Sequence, residues 1–436
     1  MAGILCSLLL LVLVWVCHAR EILPPEAYEN RTMYPVVPKY ERRPLLSIGV
    51  LSDIQYADKA ERSRRYYRLS PAKVEHAVRE MNANRSHLDL VLHLGDTVNQ
   101  NIKGNLRVID SLLKKLKFPF FQVLGNHDFL QLGEAHRDDV PRLLGMPARY
   151  YSLRAGEGGA FLLIVLDGTD LSVFATMPGT ARRDEANSMM RRYRRRKNIH
   201  AVNGGIGAEQ MRWLRIQLEY AVARKLTVLV LCHFPMYPYG NVLNLWNDME
   251  VVHLLSNYSC VAAVISGHTH RWEYQQLVVA HKEGNFIIHF VTFGGVVQSP
   301  FTSWGFIEAY ATELHLHGLS FGQTFDYRIR IRRLAGEAAA SETARASASQ
   351  PFSRRRSGVQ VISRCDNNKA RPQHAAHQPF LDRTAEGDEG VSRLIGLEVV
   401  ILLSPLVIIA LLWLRCLKNR RRRSKGVSVR CTATVG

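Results

Sequence analysis

A short polar segment, Gly125-Asn126-His127-Asp128, directly follows the apolar run of residues 118–124. The amide oxygen of Asn126 can ligate a hard metal ion, and the imidazole of His127 beside it can transfer a proton. The carboxylate of Asp128 can orient that imidazole. Because Gly-Asn is also ordinary turn chemistry, the segment predicts a catalytic site only if other parts of the chain supply partners.

Metal-competent side chains follow apolar runs at five points in the chain. In chain order these points carry Asp53 and Gln55, Asp96, Asn126 and His127, His233, and His268 and His270. The carboxyl ends of strands in an open α/β sheet meet at one crevice. A single histidine after a strand is usually a hydrogen-bonded structural residue, but five such points in one chain predict a shared metal centre.

Buried strands that alternate with helices are predicted to position these residues. Apolar runs predict strands over residues 45–52, 88–94, 118–124, 160–166, 226–231 and 260–265. Amphipathic spacing predicts helices over residues 70–81, 108–116 and 208–223. After residue 270 the chain changes to strands without helices, over residues 286–293, 307–315 and 325–331. This order predicts an α/β fold that ends in an antiparallel run.

The five motifs resemble those of the calcineurin-like metallophosphoesterases. They read Asp-x-Gln, Gly-Asp, Gly-Asn-His-Asp, His and Gly-His-Thr-His, and the likeness spans about residues 45–331. Within that superfamily the chain looks most like the manganese-dependent ADP-ribose/CDP-alcohol diphosphatases. The segments that carry this finer likeness are residues 53–58, 166–173, 203–205 and 245–247. The resemblance implies a four-layer sandwich, with two mixed β-sheets flanked by helices and two metals at one edge.

The resemblance also implies a set of metal ligands. The first metal is expected on Asp53, Gln55, Asp96 and His270, and the second on Asp96, Asn126, His233 and His268. Two divalent ions about 3.5–4 Å apart can share a hydroxide that attacks phosphorus in line. His127, oriented by Asp128, is expected to stabilise charge or to protonate the leaving oxygen. The alternative for His127 is a structural histidine behind the ligands.

Gln55 departs from the wider superfamily, in which a histidine is usual at this position. An amide oxygen is a harder ligand than imidazole, so the first site is expected to favour Mn²⁺ or Mg²⁺ over Zn²⁺. The cofactor expected is therefore a pair of divalent ions, with Mn²⁺ favoured and Mg²⁺ or Fe possible. The alternative is a glutamine that points away while water completes the site.

The resemblance implies hydrolysis of the diphosphate in ADP-ribose or CDP-alcohols, which releases a nucleoside monophosphate. Side chains near the ligands that can stack on a base or bond a ribose are Tyr56, Phe234, Tyr237, Trp246 and Asn247, although aromatic residues there are as often core. A phosphomonoesterase or phosphodiesterase of the same superfamily, acting on extracytosolic substrates, is the alternative enzyme. A binding module with a vestigial site is the alternative outside catalysis.

The formal net charge of +19 resembles that of a nucleic-acid-binding protein, but the charge is concentrated in appendages. Residues 415–436 contain eight Lys and Arg and no acid, and residues 191–197 contain six more. A basic nucleic-acid face is therefore not required, and no nucleic-acid partner is expected. The Arg-rich insert, residues 177–205, is predicted as a solvated loop or partly helical excursion, with attraction of an anionic substrate or lipid as the alternative.

The two ends of the chain predict a type I membrane protein. Residues 1–19 read as a signal peptide, although the absence of early basic residues leaves an uncleaved anchor open. Residues 20–44 form a lead-in segment, 45–332 the catalytic domain and 333–394 a disordered stalk. Residues 395–414 are long enough to cross a bilayer, and the basic tail 415–436 places the C-terminus in the cytosol. Three glycosylation sequons agree with a domain outside the cytosol.

Overall fold

The computed structural model describes residues 43–84, 88–130, 133–281, 284–332 and 359–364. The strands in this part of the chain are β1 (Leu46–Leu51), β2 (Leu90–His93), β3 (Phe120–Gln122), β4 (Tyr151–Ala155), β5 (Phe161–Val165), β6 (Thr227–Leu231), β7 (Val261–Ser266), β8 (Glu273–Val279), β9 (Phe286–Thr292), β10 (Trp304–Ala309), β11 (Glu313–Ser320), β12 (Gln323–Arg330) and β13 (Gln360–Arg364). The α-helices are α1 (Ser70–Asn84), α2 (Ile102–Leu113), α3 (Val140–Leu143), α4 (Ala181–Arg192), α5 (Ala208–Ala223) and α6 (Asp248–Leu255).

The strands form two mixed sheets. The first sheet has the order β12-β11-β10-β1-β2-β3, and the second has the order β13-β4-β5-β6-β7-β9-β8. Strands β1, β2 and β3 are parallel to one another, as are β5, β6, β7 and β9. The remaining pairs are antiparallel, and they extend the edges of each sheet. In the second sheet the parallel strands lie in the interior, whereas in the first sheet they end in β3, which is a half-buried edge strand. Strands β1 and β2 are buried along their whole length, as is typical of parallel strands covered on both faces.

The main core lies between the two sheets. Strand β1 contributes Leu46, Ile48 and Val50, because alternate residues of a strand point to the same face. The facing sheet contributes Leu163 and Leu229 among others, and all five side chains have no exposed surface or almost none. Burial of this apolar area is the principal term that holds the sheets together.

Helices cover the outer face of each sheet. Val74 and Met81 of α1 pack with Val91 of β2 on the first sheet. Leu214 and Leu218 of α5 pack with strands of the second sheet in a separate apolar cluster. The arrangement has four layers, helix, sheet, sheet and helix, which confirms the predicted calcineurin-like sandwich of two mixed sheets.

The predicted strand over residues 307–315 is wrong. The chain turns at residues 310–312 between β10 and β11, and Tyr310 N–H donates to the Glu313 carbonyl at 2.8 Å. The turn contains neither glycine nor proline, so the apolar run continues through it without a sequence signal. Strands β4 and β8 also lie outside the predicted strands.

One segment of the predicted stalk is a strand. Residues 360–364 form β13, which pairs antiparallel with β4 at the edge of the second sheet. Ser363 accepts hydrogen bonds from Trp213 Nε1 at 3.0 Å and from Gln217 Nε2 at 3.3 Å, both on α5. The stalk prediction therefore needs correction at this segment, because edge pairing and helix contacts order a sequence of low hydrophobicity.

Several predicted segments lie outside the described residues. They include the signal peptide (1–19), nearly all of the lead-in segment, the transmembrane segment (395–414) and the basic tail (415–436). In the part of the chain that the structure describes, no helix is long and apolar enough to span a bilayer.

The Arg-rich insert contains one helix. Within this insert, α4 begins after Thr180, whose hydroxyl accepts a hydrogen bond from the Arg183 N–H at 3.3 Å.

Candidate metal centre

The seven predicted ligands converge where strands of both sheets end. Asp53 and Gln55 follow β1, Asp96 follows β2 and Asn126 follows β3. From the second sheet, His233 follows β6, and the pair of histidines, His268 and His270, follows β7. All seven side chains are buried. The loops after parallel strands thus meet at one edge, as the motif order predicts.

Five of these residues have left-handed backbone conformations, which are uncommon for residues other than glycine. The φ angles are 49° for Asp53, 43° for Gln55, 61° for Asp96, 68° for His268 and 61° for His270. Such conformations cost free energy and persist where the surrounding structure enforces them, often at functional sites. The loops accept this strain in turning the ligand side chains toward one another.

Two glycines allow these loops to approach closely. A Cβ atom on Gly125 would lie 2.1 Å from Oδ1 of Asp96, and one on Gly267 would lie 2.2 Å from Oγ of Ser52. Both distances are well inside van der Waals contact. Glycine is therefore required at both positions for the ligand loops to pack together.

The first ligand group consists of Asp53, Asp96 and His270. Nδ1 of His270 lies 2.8 Å from Oε1 of Gln298, an oxygen that can only accept, so Nδ1 carries the hydrogen. The lone pair on Nε2 then faces Oδ1 of Asp53 at 3.2 Å. Two such acceptors repel each other unless a proton or a cation lies between them. Ligands about 2.1 Å from one ion have separations of this size.

Gln55 completes the first group. Its Nε2 lies 2.8 Å from Oδ2 of Asp96 and 2.9 Å from Nε2 of His270. Its Oε1 is buried without a hydrogen-bond partner, as is Oδ1 of Asp53. A half-turn of the amide brings Oε1 to the place between Asp96 and His270 where Nε2 now lies. Buried oxygens without hydrogen bonds fit a metal site, because a cation satisfies them.

The second ligand group consists of Asp96, His233 and His268, with Asn126 beside them. Nε2 of His233 lies 3.4 Å from Oδ2 of Asp96 and 3.2 Å from Oδ1 of Asn126. Nδ1 of His233 donates to the Leu94 carbonyl at 2.8 Å, which directs Nε2 into the site. Because Asp96 belongs to both groups, the geometry fits two ions that share one carboxylate.

Asn203 determines which nitrogen of His268 faces the site. The amide nitrogen of Asn203 donates to the carbonyls of Asn198 and Val242, so its Oδ1 must be the acceptor. This oxygen lies 3.0 Å from Nε2 of His268. Nε2 therefore carries the hydrogen, and the lone pair for a metal is on Nδ1. The sequence analysis missed this role, as it did that of Gln298, although residues 203–205 had carried the family likeness.

The charges in the site also favour bound cations. Burial by itself raises the pKa of Asp53 and Asp96, but His270 beside Asp53 and His233 beside Asp96 hold both below the ordinary value. Burial lowers the pKa of His233, but Asp96 outweighs this and raises it to about 9. Burial lowers the pKa of His268 well below its usual value. Two ionised carboxylates are thus buried side by side, and divalent ions can replace the proton on His233.

The predicted contact between Asp128 and the His127 ring is not present. The Asp128 carboxylate instead accepts from the backbone N–H groups of Asp96, Thr97 and Gly125 at 2.8–3.1 Å. Asp128 therefore stabilises the loop that carries Asp96, and burial raises its pKa to about 7. A side chain directly after a histidine in a tight turn points away from its ring, which explains the error.

His127 lies at the accessible side of the centre. Its Nε2 is 3.9 Å from Oδ2 of Asp96, and its side chain is 15% exposed. Its Nδ1 has no hydrogen-bond partner, and its backbone N–H donates to Oδ1 of Asp96 at 2.7 Å. Burial lowers the pKa of His127, so the neutral ring predominates near pH 7. The ring is beside the metal ligands without belonging to either group.

Three of the predicted substrate-contact residues are buried and interact only with other parts of the protein. Trp246 is fully buried and donates from Nε1 to the His200 carbonyl at 3.1 Å. The Asn247 amide exchanges hydrogen bonds with the backbone of Ile206 at 2.8 and 3.0 Å. Phe234 is fully buried and packs edge-on against His268, with 4.7 Å between ring centroids. These three side chains support the ligand loops and do not line an open surface.

Tyr237 and Tyr56 are half-buried. Tyr237 lines a cavity of about 150 Å³ together with Pro238, Asn241, Glu273, Gln275, Phe290 and Thr292. Glu273 also contacts the loop that carries His268 and His270, because Thr269 donates to its carboxylate at 3.5 Å. Tyr56 packs against the apolar cluster beneath α1 and α2. Of the five predicted substrate contacts, only Tyr237 lines this cavity.

Known proteins with similar sequences are diphosphatases. The chain is 27% identical over 317 residues to the manganese-dependent ADP-ribose/CDP-alcohol diphosphatase of Mus musculus, a match that covers 63% of this chain and 90% of that protein. It is 28% identical over 324 residues to the enzyme of the same name from Arabidopsis thaliana, with coverage of 66% and 98%.

The fold is also similar to that of a solved structure. A dimetal phosphatase from Danio rerio superposes with a TM-score of 0.57 at 21% identity, over 66% of this chain and all of that one. The family model for the calcineurin-like phosphoesterases matches residues 46–272, more than half of the chain. That range contains all seven predicted ligands. The chain therefore belongs to the calcineurin-like phosphoesterase family and is a metal-dependent hydrolase.

Proposed function

We propose that this protein hydrolyses the diphosphate bond of nucleotide-diphosphate conjugates such as ADP-ribose and CDP-alcohols. The observation that carries the proposal is the sharing of Asp96 between two buried ligand groups. A pair of ions held in this way can contact two oxygens of one phosphoryl group. The similar diphosphatases of mouse and Arabidopsis support the substrate class.

The cavity beside the loop of His268 and His270 supports a substrate with a group larger than phosphate. Tyr237 packs against Phe290 at 5.0 Å between centroids, and together they supply an aromatic wall on which a base can stack. Asn241 and Gln275 offer amide groups that can bond the edges of a base or a ribose. A phosphomonoester needs none of these contacts.

When bound, the divalent ions activate water and screen the charge of the phosphoryl oxygens. The ligand set contains four oxygen donors, on Asp53, Gln55, Asp96 and Asn126, and three imidazoles, which suits Mn²⁺. The neutral His127 ring donates one N–H to a phosphoryl oxygen or to the leaving oxygen. The hydrogen bonds from backbone N–H groups to the Asp128 carboxylate hold the Asp96 loop in place while charge develops on the substrate.

We also propose that the enzyme is a single-pass type I membrane protein with its catalytic domain outside the cytosol. The apolar segments 1–19 and 395–414 and the basic tail 415–436 support this orientation. Asn257 lies in a sequon on an exposed turn of the catalytic domain. A test of this orientation is to treat the protein with a glycosidase and to measure its electrophoretic mobility. We expect the mobility of the wild-type chain to shift. We expect no shift for a variant that carries Asn257→Gln and has its other sequons removed. An unchanged wild-type mobility contradicts this orientation.

The substrate is tested by assaying the metal-stripped protein with added Mn²⁺ on three substrates. We expect release of AMP from ADP-ribose and of CMP from CDP-choline, and slower turnover of an aryl phosphate. Asp96→Asn removes a ligand from both groups, so it is expected to abolish all three activities. If the aryl phosphate is hydrolysed fastest and Asp96→Asn abolishes that activity, the protein is a phosphomonoesterase. Metal binding without turnover of any of the three contradicts the proposed substrate class.

Replacement of the histidine beside the ligands tests the chemical step. We expect His127→Gln to lower kcat about 100-fold or more, because loss of one positioned hydrogen-bond donor to the charge that develops in the transition state costs about 10²–10³-fold. Bound Mn²⁺, measured by elemental analysis, is expected to stay at the wild-type level. His253→Gln on the exposed side of α6 is the matched control. A loss of Mn²⁺ in His127→Gln means instead that the ring is a ligand.

Replacement of Asn203 tests how the His268 ring is positioned. Asn203→Ala removes the acceptor for Nε2, so the ring can present the wrong nitrogen, and we expect Mn²⁺ affinity to fall about 10–100-fold. Asn198→Ala is the control, because this buried amide donates to the Leu245 and Trp246 carbonyls and contacts no ligand. Affinity is measured by titration of the metal-free protein with Mn²⁺. Equal losses in the two variants mean that Asn203 only stabilises the fold.

A further inference from the structure

A second cluster of metal-competent side chains lies on the first sheet, away from the catalytic centre. Glu308 is on β10, and His315 and His317 are on the adjacent β11. All three are buried, and one ligand atom from each lies within 4.8 Å of the others. Glu308 is directly opposite His315 in the strand pairing. Side chains at paired and alternate positions share one face of a sheet, so the three point to the same side.

The cluster is at the opposite end of the sheet from the catalytic residues. Glu308 pairs with Ser47 at the beginning of β1, whereas Asp53 follows the end of that strand. Six residues of extended chain span about 20 Å. The cluster also faces outward from the core between the sheets, since its neighbours Ile307 and Leu316 point into that core. It is therefore a separate feature and not a part of the dimetal centre.

The distances within the cluster match those between ligands on one ion. Oε2 of Glu308 lies 3.4 Å from Nδ1 of His315 and 3.7 Å from Nε2 of His317. Ligands about 2.1 Å from a tetrahedral Zn²⁺ lie about 3.4 Å apart. The His315 and His317 rings stack with 4.5 Å between centroids, and one nitrogen of each ring lies within 4.8 Å of the other. Two imidazoles and a carboxylate form a ligand set that zinc commonly occupies.

Asp326 on β12 sets the orientation of His315. Its Oδ1 lies 2.9 Å from Nε2 of His315, and a carboxylate can only accept, so Nε2 carries the hydrogen. The lone pair on Nδ1 then faces Glu308, as in a histidine that a carboxylate prepares for metal binding. Nη2 of Arg328 lies 3.4 Å from the same Nδ1, and the Tyr310 hydroxyl lies 3.3 Å from Oε2 of Glu308. A bound ion must displace the guanidinium, whose Nη1 already has a partner in Glu313 at 3.0 Å.

We propose that Glu308, His315 and His317 bind a Zn²⁺ ion that links β10 to β11, with Asp326 as the positioning residue. The site requires no substrate and performs no chemistry. Its role is to hold the antiparallel half of the first sheet together. The alternative is an ion-paired network in which a protonated His315 bridges Glu308 and Asp326 and no metal binds.

The experiment is a titration of the full-length, metal-stripped protein with Zn²⁺ alone, with bound zinc measured by elemental analysis. An Asp96→Asn background removes the ligand that both catalytic ions share. In that background we expect one tight equivalent of zinc that is lost in His317→Gln and in Glu308→Gln. His253→Gln, on an exposed helix face, is the matched control and is expected to retain it.

A second readout separates this proposal from the proposed function. With otherwise wild-type ligands, His317→Gln is expected to keep its Mn²⁺-dependent hydrolysis. In the Asp96→Asn background, His317→Gln is expected to lose the rise in unfolding temperature that Zn²⁺ gives the Asp96→Asn parent. If His317→Gln fails to fold, the conservative Glu308→Gln supplies the same comparison. Zinc stoichiometry that is equal in the Asp96→Asn parent and its cluster variants overturns the proposal, whether or not the diphosphatase activity is found.

Discussion

The structure depends on the burial of two carboxylates, Asp53 and Asp96, beside each other at the edge of two sheets. Buried negative charges are costly unless cations or hydrogen bonds compensate them. Here His233 and His270 provide part of the compensation, and oxygens without hydrogen bonds remain on Asp53 and Gln55. The left-handed backbone of the ligand loops, and the close packing that Gly125 and Gly267 allow, hold these buried carboxylates together. Two divalent ions satisfy it, and the same ions supply the chemistry.

The fold makes such a centre possible because it brings two sheets to a common edge. Parallel strands β1, β2 and β3 of one sheet and β6 and β7 of the other all end there. Strands β1, β2, β6 and β7 are almost completely buried and β3 pairs with β2 at the sheet edge, so the strand ends are fixed in position. The loops beyond them can carry polar residues. The apolar core between the sheets thus sets the distance between ligands that are far apart in the chain.

Residues behind the ligands decide how each histidine is used. Leu94 and Gln298 accept hydrogen bonds from Nδ1 of His233 and His270, whereas Asn203 accepts one from Nε2 of His268. The three rings therefore present different nitrogens to the two groups. In the Glu308 cluster, Asp326 performs the same orienting role from a neighbouring strand. Hydrogen bonds at the rear of a ring are as much a part of these sites as the ligand atoms.

The sequence by itself indicated the seven candidate ligands and their place at the ends of strands, because polar residues directly after apolar strands are a local pattern. It also indicated most of the parallel strands along the chain and the three amphipathic helices that correspond to α1, α2 and α5. Only the tertiary structure decided that Asp128 bonds to backbone amides, that Trp246 is core, and that residues 360–364 join a sheet. The pairing of Asn203 with His268 spans 65 residues, and that of Glu308 with His315 depends on a turn without a signature. Contacts of this kind arise from packing between distant segments, which no local pattern encodes.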